Sequence, residues 1–239
     1  MPKKKVICII PARGGSKGIK LKNLRKVCNK PLIYYPIKAA IESKSCDKIL
    51  VSTDSKLISK YATKYGAEVP FLRKKKFSKD LTTTEETLKQ ALKQAENFYK
   101  MKFDICVFLT CTNLFRQASW IKSAVSILKK NSKIDSAFSV HKFYKHIWHK
   151  KNNELKKVLP WMNNYTSRQI APALYREDTG LASATRSKFW RRGKRIGKKV
   201  SLIINEDTFS GIDIHTKKDL YLAEQAMKFS IKNGLIDYL

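Results

Sequence analysis

Short, unbroken apolar runs alternate with longer stretches of helical period along most of the chain. Residues 4–10 read as a strand buried on both faces, followed by a Gly-rich turn and a helical stretch over residues 32–41. Residues 47–53 repeat the strand signal, and Asp54 or Ser55 is placed to cap a helix that runs through Tyr65 to Gly66. The pattern then predicts a short strand over 68–72, a helix over 84–99 with Thr84, Leu88, Ala91, Leu92 and Ala95 on overlapping turns, a strand over 103–109, a helix over 118–130 and a strand over 136–140. Alternation at these lengths implies right-handed crossovers onto a mostly parallel sheet, an α/β, Rossmann-like architecture. In such sheets ligands sit beyond the carboxyl ends of the strands, where residues 11–23, Thr53 and Asp54, and residues 110–116 fall.

From about 141 to 187 the sequence turns polar, aromatic and punctuated by proline, which predicts a protruding β-rich arm. Its aromatic residues Phe143, Tyr144, Trp148, Trp161, Tyr165 and Tyr175 suit packing at a subunit interface, so a homodimer built through this dimerisation arm is expected. The α/β rhythm returns with a strand over 200–204, a turn at Ser210 and Gly211, a strand at Ile212-Asp213-Ile214 and a helix over 217–231. No repeat or linker divides the chain, so residues 1–239 are read as one domain with the arm at about 141–187 inserted in it.

Composition narrows the class. With 43% hydrophobic residues the chain can bury a sizeable core, yet no apolar run reaches the ~18 residues of a membrane helix, so a cytoplasmic protein with no membrane contact is expected. The five cysteines are scattered with no CxxC pair and read as reduced thiols. His141, His146 and His149 fit no usual zinc spacing. The net charge of +31 raises the question of a nucleic-acid partner, but lysines such as those at 3–5, 74–76, 129–130 and 198–199 are spread along the whole chain and no recognition-helix or RNP-type motif is present. A solvated lysine-rich surface is the simpler reading, and nucleic acid is not the expected partner.

Candidate chemistry concentrates in IPARGGSKGIKLKN, residues 10–23, directly after the first strand. Gly14, Gly15 and Gly18 let the backbone turn sharply and bring N–H groups to an anion, while Arg13, Lys17 and Lys22 supply positive charge to the same space. These are the ingredients of a triphosphate site, without the spacing of a Walker loop or of a dinucleotide fingerprint.

The string resembles the ARxGSKGIxxKN signature of the acylneuraminate cytidylyltransferases, including bacterial members that activate legionaminic or pseudaminic acid. Residues 51–55, 71–73, 78–84, 109–116, 167–169 and 212–214 resemble further stretches of that family in the same order. The resemblance implies a nucleotidyltransferase fold and transfer of CMP from CTP to the anomeric hydroxyl of a nonulosonic, sialic-acid-like sugar acid, with release of pyrophosphate, for surface glycan or flagellin glycosylation. It also implies Mg²⁺ or another divalent cation. Arg13, Gly14, Gly15, Ser16, Lys17, Lys22 and Asn23 would hold the CTP phosphates, with Lys22, Arg13 and Asp213 as the catalytic set. Arg73, Asp80, Thr83 and Thr84 would surround the cytidine. Thr110, Thr112, Arg116, Arg168, Gln169 and Arg176 would face the sugar acid, helped by Lys145 from a neighbouring subunit.

Asp213 would hold the metal; His215 stands where many relatives have a second aspartate, and since magnesium prefers oxygen, it is expected beside the ion rather than on it. Thr110 in place of a usual glutamine, and Arg176-Glu177-Asp178-Thr179-Gly180 in place of RPNG, leave the acceptor open beyond N-acetylneuraminate. The rival readings are a basic nucleic-acid-binding protein and a family member that binds nucleotide without catalysis.

Overall fold

The computed structural model describes residues 4–16, 18–78, 81–167 and 169–235. Strand β1 (Val6–Pro11) is apolar and buried up to its last residue. Its side chains alternate: Val6, Cys8 and Ile10 enter one core, Ile7 and Ile9 the other. A hairpin of β2 (Lys26–Val27) and β3 (Lys30–Pro31) follows the Gly-rich loop, and its two turn residues, Cys28 and Asn29, both take positive φ, as a tight two-residue connection requires. Helix α1 (Tyr34–Glu42) then leads to β4 (Lys48–Ser52). Helix α2 (Lys56–Lys64) begins where the Ser55 side chain accepts the Ile58 N–H and ends at Gly66 with φ 93°.

Helix α3 (Thr84–Tyr99) is started by a capping box of Thr83 and Glu86, and is followed by β5 (Ile105–Phe108), α4 (Ala118–Lys130) and β6 (Ser136–Phe143). A hairpin of β7 (Trp148–Lys151) and β8 (Glu154–Lys157) projects before β9 (Leu174–Glu177) and β10 (Ser183–Arg186) return to the body. Short α5 (Ser187–Arg191), β11 (Val200–Asn205) and α6 (Lys217–Lys232) complete the chain, the last opened by a Thr216–Asp219 capping box.

The seven-stranded sheet runs β11-β6-β10-β5-β1-β4, with β9 paired on β6. Strands β4, β1, β5, β6 and β11 point one way and only β9 and β10 run against them, so the mostly parallel α/β expectation holds. Helices α1, α2, α4 and α6 bury apolar stripes against one face, and α3 with Trp190 of α5 covers the other.

Three expected elements differ. The strand at 68–72 shrinks to one bridge between Leu50 and Glu68, because Pro70 has no N–H to continue the ladder. The strand at 212–214 is likewise a single bridge, Asp213 to Asn113. The arm is narrower than 141–187: β6 runs on to Phe143, and β9 and β10 belong to the main sheet, leaving residues 144–173 as the excursion. Ser183-Ala184-Thr185-Arg186 carries no apolar run, so nothing in its pattern marks a central strand.

One buried carboxylate locks α3 to the body. Glu96, with 4% of its side chain exposed, accepts from Arg191 at 2.5 Å, Lys102 at 3.1 Å and the Phe103 N–H at 3.3 Å. Burial raises its pKa, but the bonds from Arg191, Lys102 and Phe103 outweigh burial and hold it below the ordinary 4.5. A depressed folded-state pKa adds stability above the unfolded value, and that stability is lost as pH falls through the folded one. Glu96→Gln should therefore lower stability at neutral pH by about 2 kcal/mol, with the partly exposed Arg191 moderating the cost of an unpaired charge. Denaturant titrations of both proteins should converge below the ordinary carboxylate range; a difference that persists unchanged there would refute the assignment.

Candidate active site

At the carboxyl ends of β1 and β5 lies a cleft of about 460 Å³ whose wall includes Pro11, the last residue of β1, and Phe108, the last of β5. The Gly-rich loop forms one side through Arg13, Ser16, Gly18, Lys22 and Asn23. Its shape is set by four contacts. The Ala12 N–H donates to the Ser52 carbonyl at 2.9 Å, the Gly14 N–H to the Asp54 carboxylate at 2.8 Å, and the Asn23 amide to the Arg13 carbonyl at 3.0 Å. The fourth is steric: a Cβ on Gly18 would lie 2.5 Å from the His215 carbonyl oxygen, so only glycine lets the loop meet the C-terminal segment. Gly15 has no such constraint; it is exposed, with nothing within 4 Å of where its Cβ would be, and does not line the cleft. Lys17, Asp80 and Arg168 lie outside the described residues.

Lys22 is half-buried and donates from Nζ to the Ile214 carbonyl at 2.8 Å. Burial lowers its pKa, opposed by the negative charge of Asp213, so the amine is a partly desolvated cation. Arg73 is only 7% exposed. It donates from Nε to Ser52 Oγ at 3.1 Å and from Nη2 to the Ser52 carbonyl, while Nη1 stands 3.5 Å from the Phe77 carbonyl. Burial lowers its pKa from 12.5 to about 10, which leaves it charged at neutral pH. Arg13, Lys22 and Arg73 thus converge on one cleft whose lining contains no carboxylate among the described residues.

The far end of the cleft is rich in hydroxyls: Ser78, Thr82, Thr84 and Thr87. Thr84 stands where the sequence predicts. Thr83 does not, because its Oγ accepts the Glu86 N–H at 3.1 Å as the α3 cap and it is absent from the lining. The flanking Thr82, and Thr87 one helical turn beyond Thr84, line the cleft instead; the i, i+3 spacing of Thr84 and Thr87 was the available signal for the second of them. Of the two candidate caps, Ser55 caps α2, while Asp54 anchors the Gly14 N–H.

On the side expected to face the acceptor, Thr110 and Thr112 line the cleft with Cys111 between them. Burial pushes the Cys111 thiol up to about 12, which makes it inert packing. Thr110 Oγ donates to Asn113 Oδ1 at 2.6 Å, and its N–H to the Gly180 carbonyl at 2.9 Å. A Cβ on Gly180 would fall 2.5 Å from Asn113 Oδ1. Arg116 proves to be a brace beneath this loop rather than an open sugar contact: 1% exposed, it donates to the carbonyls of Leu181 at 2.9 Å, Thr110 at 2.6 Å and Gly180 at 3.0 Å. Arg176, on β9 and outside the cleft, spends its fork on Asp178, at 3.2 and 3.1 Å. Lys145 and Gln169 are exposed in the arm, also outside the lining.

At the cleft rim His215 Nε2 stands 2.9 Å from Asp213 Oδ2, whose side chain is 46% exposed. The two side chains meet on one side of a segment that makes only a single bridge. Among the described residues no three His, Cys, Asp or Glu side chains are grouped to hold a metal ion by themselves. The donor set instead suits a cation that takes one carboxylate and draws its remaining oxygens from a ligand and water, the habit of magnesium. In the arm, His146 stacks on Tyr165 and meets Trp161 edge-on.

Comparison with known proteins agrees with this geometry. The chain is 31% identical over 231 residues to CMP-N,N'-diacetyllegionaminic acid synthase of Campylobacter jejuni, spanning 95% of this chain and 96% of that protein. It is 29% identical over 227 residues to post-translational flagellin modification protein B of Campylobacter coli, spanning 93% and 95%. In fold it is similar to a CMP:2-keto-3-deoxy-manno-octonic acid synthetase complexed with CTP, with a TM-score of 0.69 at 12% identity over 95% of this chain and 100% of that one. It is also similar to the 4-diphosphocytidyl-2C-methyl-D-erythritol synthase of Anaerococcus prevotii, with a TM-score of 0.66 at 14% identity over 94% and 99%. Residues 7–230 match the family described as cytidylyltransferase, and with the cationic cleft in place this chain belongs to the cytidylyltransferase family, as a nucleotidyltransferase.

Proposed function

We propose that this protein transfers CMP from CTP to the anomeric hydroxyl of a nonulosonic sugar acid and releases pyrophosphate. The observation that carries this reading is the convergence of Arg13, Lys22 and Arg73 on a cleft whose lining has no carboxylate among the described residues, in a chain that aligns over more than nine-tenths of its length with proteins named for activating such acids. The acceptor oxygen forms a bond to the α-phosphorus as the bond to the pyrophosphate oxygen breaks, and the hydroxyl proton leaves to solvent. The protein's share is positioning and charge neutralisation. Lys22, oriented by the Ile214 carbonyl, stands against the α-phosphoryl oxygens, and Arg13 with the loop N–H groups takes the outer phosphates. Arg73 and the hydroxyls of Ser78, Thr82, Thr84 and Thr87, which both donate and accept, form the nucleoside half.

Asp213 would hold a divalent cation, Mg²⁺ by preference, with His215 orienting its carboxylate. When bound, such an ion supplies further charge neutralisation to the triphosphate. Thr110 and Thr112 are the cleft's own acceptor contacts, and since Arg116 and Arg176 are committed elsewhere, Lys145 and Gln169 of a second copy would complete the carboxylate site in a homodimer. The exposed Trp148, Tyr165 and Ile170 of the arm suit such a contact. We place the reaction in the cytoplasm, where CTP is made, upstream of surface glycan or flagellin modification.

Pyrophosphate release measured with CTP, UTP and GTP against legionaminic, pseudaminic, neuraminic and 3-deoxy-octulosonic acids should show turnover with CTP and at least one nonulosonic acid. Folded protein that is silent across the whole panel would sink the proposal. Lys22→Ala should lower kcat by about 10²–10³-fold, as loss of a transition-state donor does, with an unchanged circular dichroism spectrum. Because burial lowers the Lys22 pKa and the cation is the working form, kcat should decline on the alkaline side below the ordinary lysine value of 10.5. A profile flat up to that value would remove Lys22 from the role.

A further inference from the structure

Behind the Gly-rich loop lies a second cavity, of about 770 Å³, between residues 18–29 and the first two turns of α6. Its wall carries four cations, Lys20, Arg25, Lys26 and Lys217, none of which has an acidic partner among the described residues. The one lining carboxylate is already engaged, since Glu224 accepts the Cys28 N–H at 2.8 Å and pairs with Lys228 at 3.2 Å. Arg25 is held in place by donating from Nε to the Lys20 carbonyl at 3.0 Å. Besides Gly18 and Asn29, the remaining wall is apolar or aromatic: buried Ile19, half-buried Leu220 and the Tyr221 ring, 65% exposed. Cations beside an apolar floor and a ring match a ligand with an anionic head and a ring-sized body.

This cavity is joined to the cleft. Gly18 lines both, and the point where its backbone meets the His215 carbonyl stands two residues before Lys217 opens α6. Leu21, in the segment between the two cavities, holds left-handed backbone at φ 52° without being glycine, and Asn29 of the β2–β3 turn also lines the second cavity.

We propose that this second cavity is an effector site for an organic anion with a ring-sized apolar body, and that its occupancy weakens CTP binding. The site stands on its own geometry, while the sign of its effect rests on reading the cleft as the CTP site. Two anions held on opposite sides of Gly18 repel, and the cations that draw the triphosphate toward the loop are partly neutralised when the second site fills. By linkage CTP weakens the effector equally.

The test uses 8-anilinonaphthalene-1-sulfonate, whose sulfonate and rings match the cavity, titrated by fluorescence into the full chain at increasing CTP. One saturable site per chain is expected, with a Kd that rises several-fold and then levels off as CTP saturates. Lys20→Glu with Lys217→Glu should weaken the dye by about ten-fold or more and, by removing the same positive field, weaken CTP as well, whereas the neutral change Tyr221→Ala should weaken the dye several-fold with CTP binding alone little changed. Displacement of the dye in strict proportion to CTP would place it in the cleft and overturn the proposal, as would unchanged dye affinity in the charge-reversed variant. A dye Kd indifferent to CTP would overturn the coupling. Dye binding that follows the variants in a chain that fails to bind CTP supports the second site and counts against the reading of the cleft.

Discussion

The contact between Gly18 and the His215 carbonyl joins the two ends of the active site. Residue 18 belongs to the loop after the first strand and residue 215 to the approach to the last helix, and no other side chain fits between them. Lys22 repeats the connection from the same loop, through the Ile214 carbonyl. A loop that has to present N–H groups and cations to phosphate needs a rigid backing, because every cation repels its neighbours until an anion arrives. The backing comes from the Ser52 carbonyl and the Asp54 carboxylate at the end of β4 and from the 213–215 segment, joined by the Asn23 amide within the loop. The cleft is therefore preorganised by the sheet that carries β1 and β4 rather than by the loop itself.

The arginines divide into those that face ligand space and those that hold the walls. Arg116 and Arg73 each satisfy several acceptors while largely desolvated, whereas the partly exposed Arg191 joins α5 to Glu96 of α3 and to the Phe103 carbonyl. Burying a guanidinium is costly unless its donors are used, and here carbonyls left free by loop geometry use them. In a protein with a net charge of +31, the guanidiniums of Arg73 and Arg116 thus lie inside the cleft walls and Lys22 is half-buried beside them.

Two of the long helices were legible to the residue, whereas short α5 was not expected at all. Thr84–Tyr99 and Ala118–Lys130 coincide with the predicted spans because caps and apolar stripes are local signals that the chain carries without its neighbours. The parallel strands were legible for the same reason, as runs buried on both faces. Strand β10 was not, since Ser183 to Arg186 owes its central place to being flanked by β5 and β6, not to its own composition. Among site residues, Arg13, Lys22, Asn23, Arg73, Thr84, Thr110 and Thr112 all reach the cleft, whereas Thr83 is taken by its helix cap, Arg116 by three carbonyls and Arg176 by Asp178.

What the sequence by itself determined is the class of chemistry: a glycine-rich, cation-bearing loop after a buried strand, with family-like stretches in order behind it. Such motifs are readable because phosphate recognition depends on backbone freedom and charge within a few consecutive residues. Only the tertiary structure decided which arginines remain available, that Gly18 rather than Gly15 is sterically required, and that a second cationic cavity shares a wall with the first. Those outcomes turn on which carbonyls and carboxylates distant parts of the chain bring within hydrogen-bonding distance, and no local pattern encodes that.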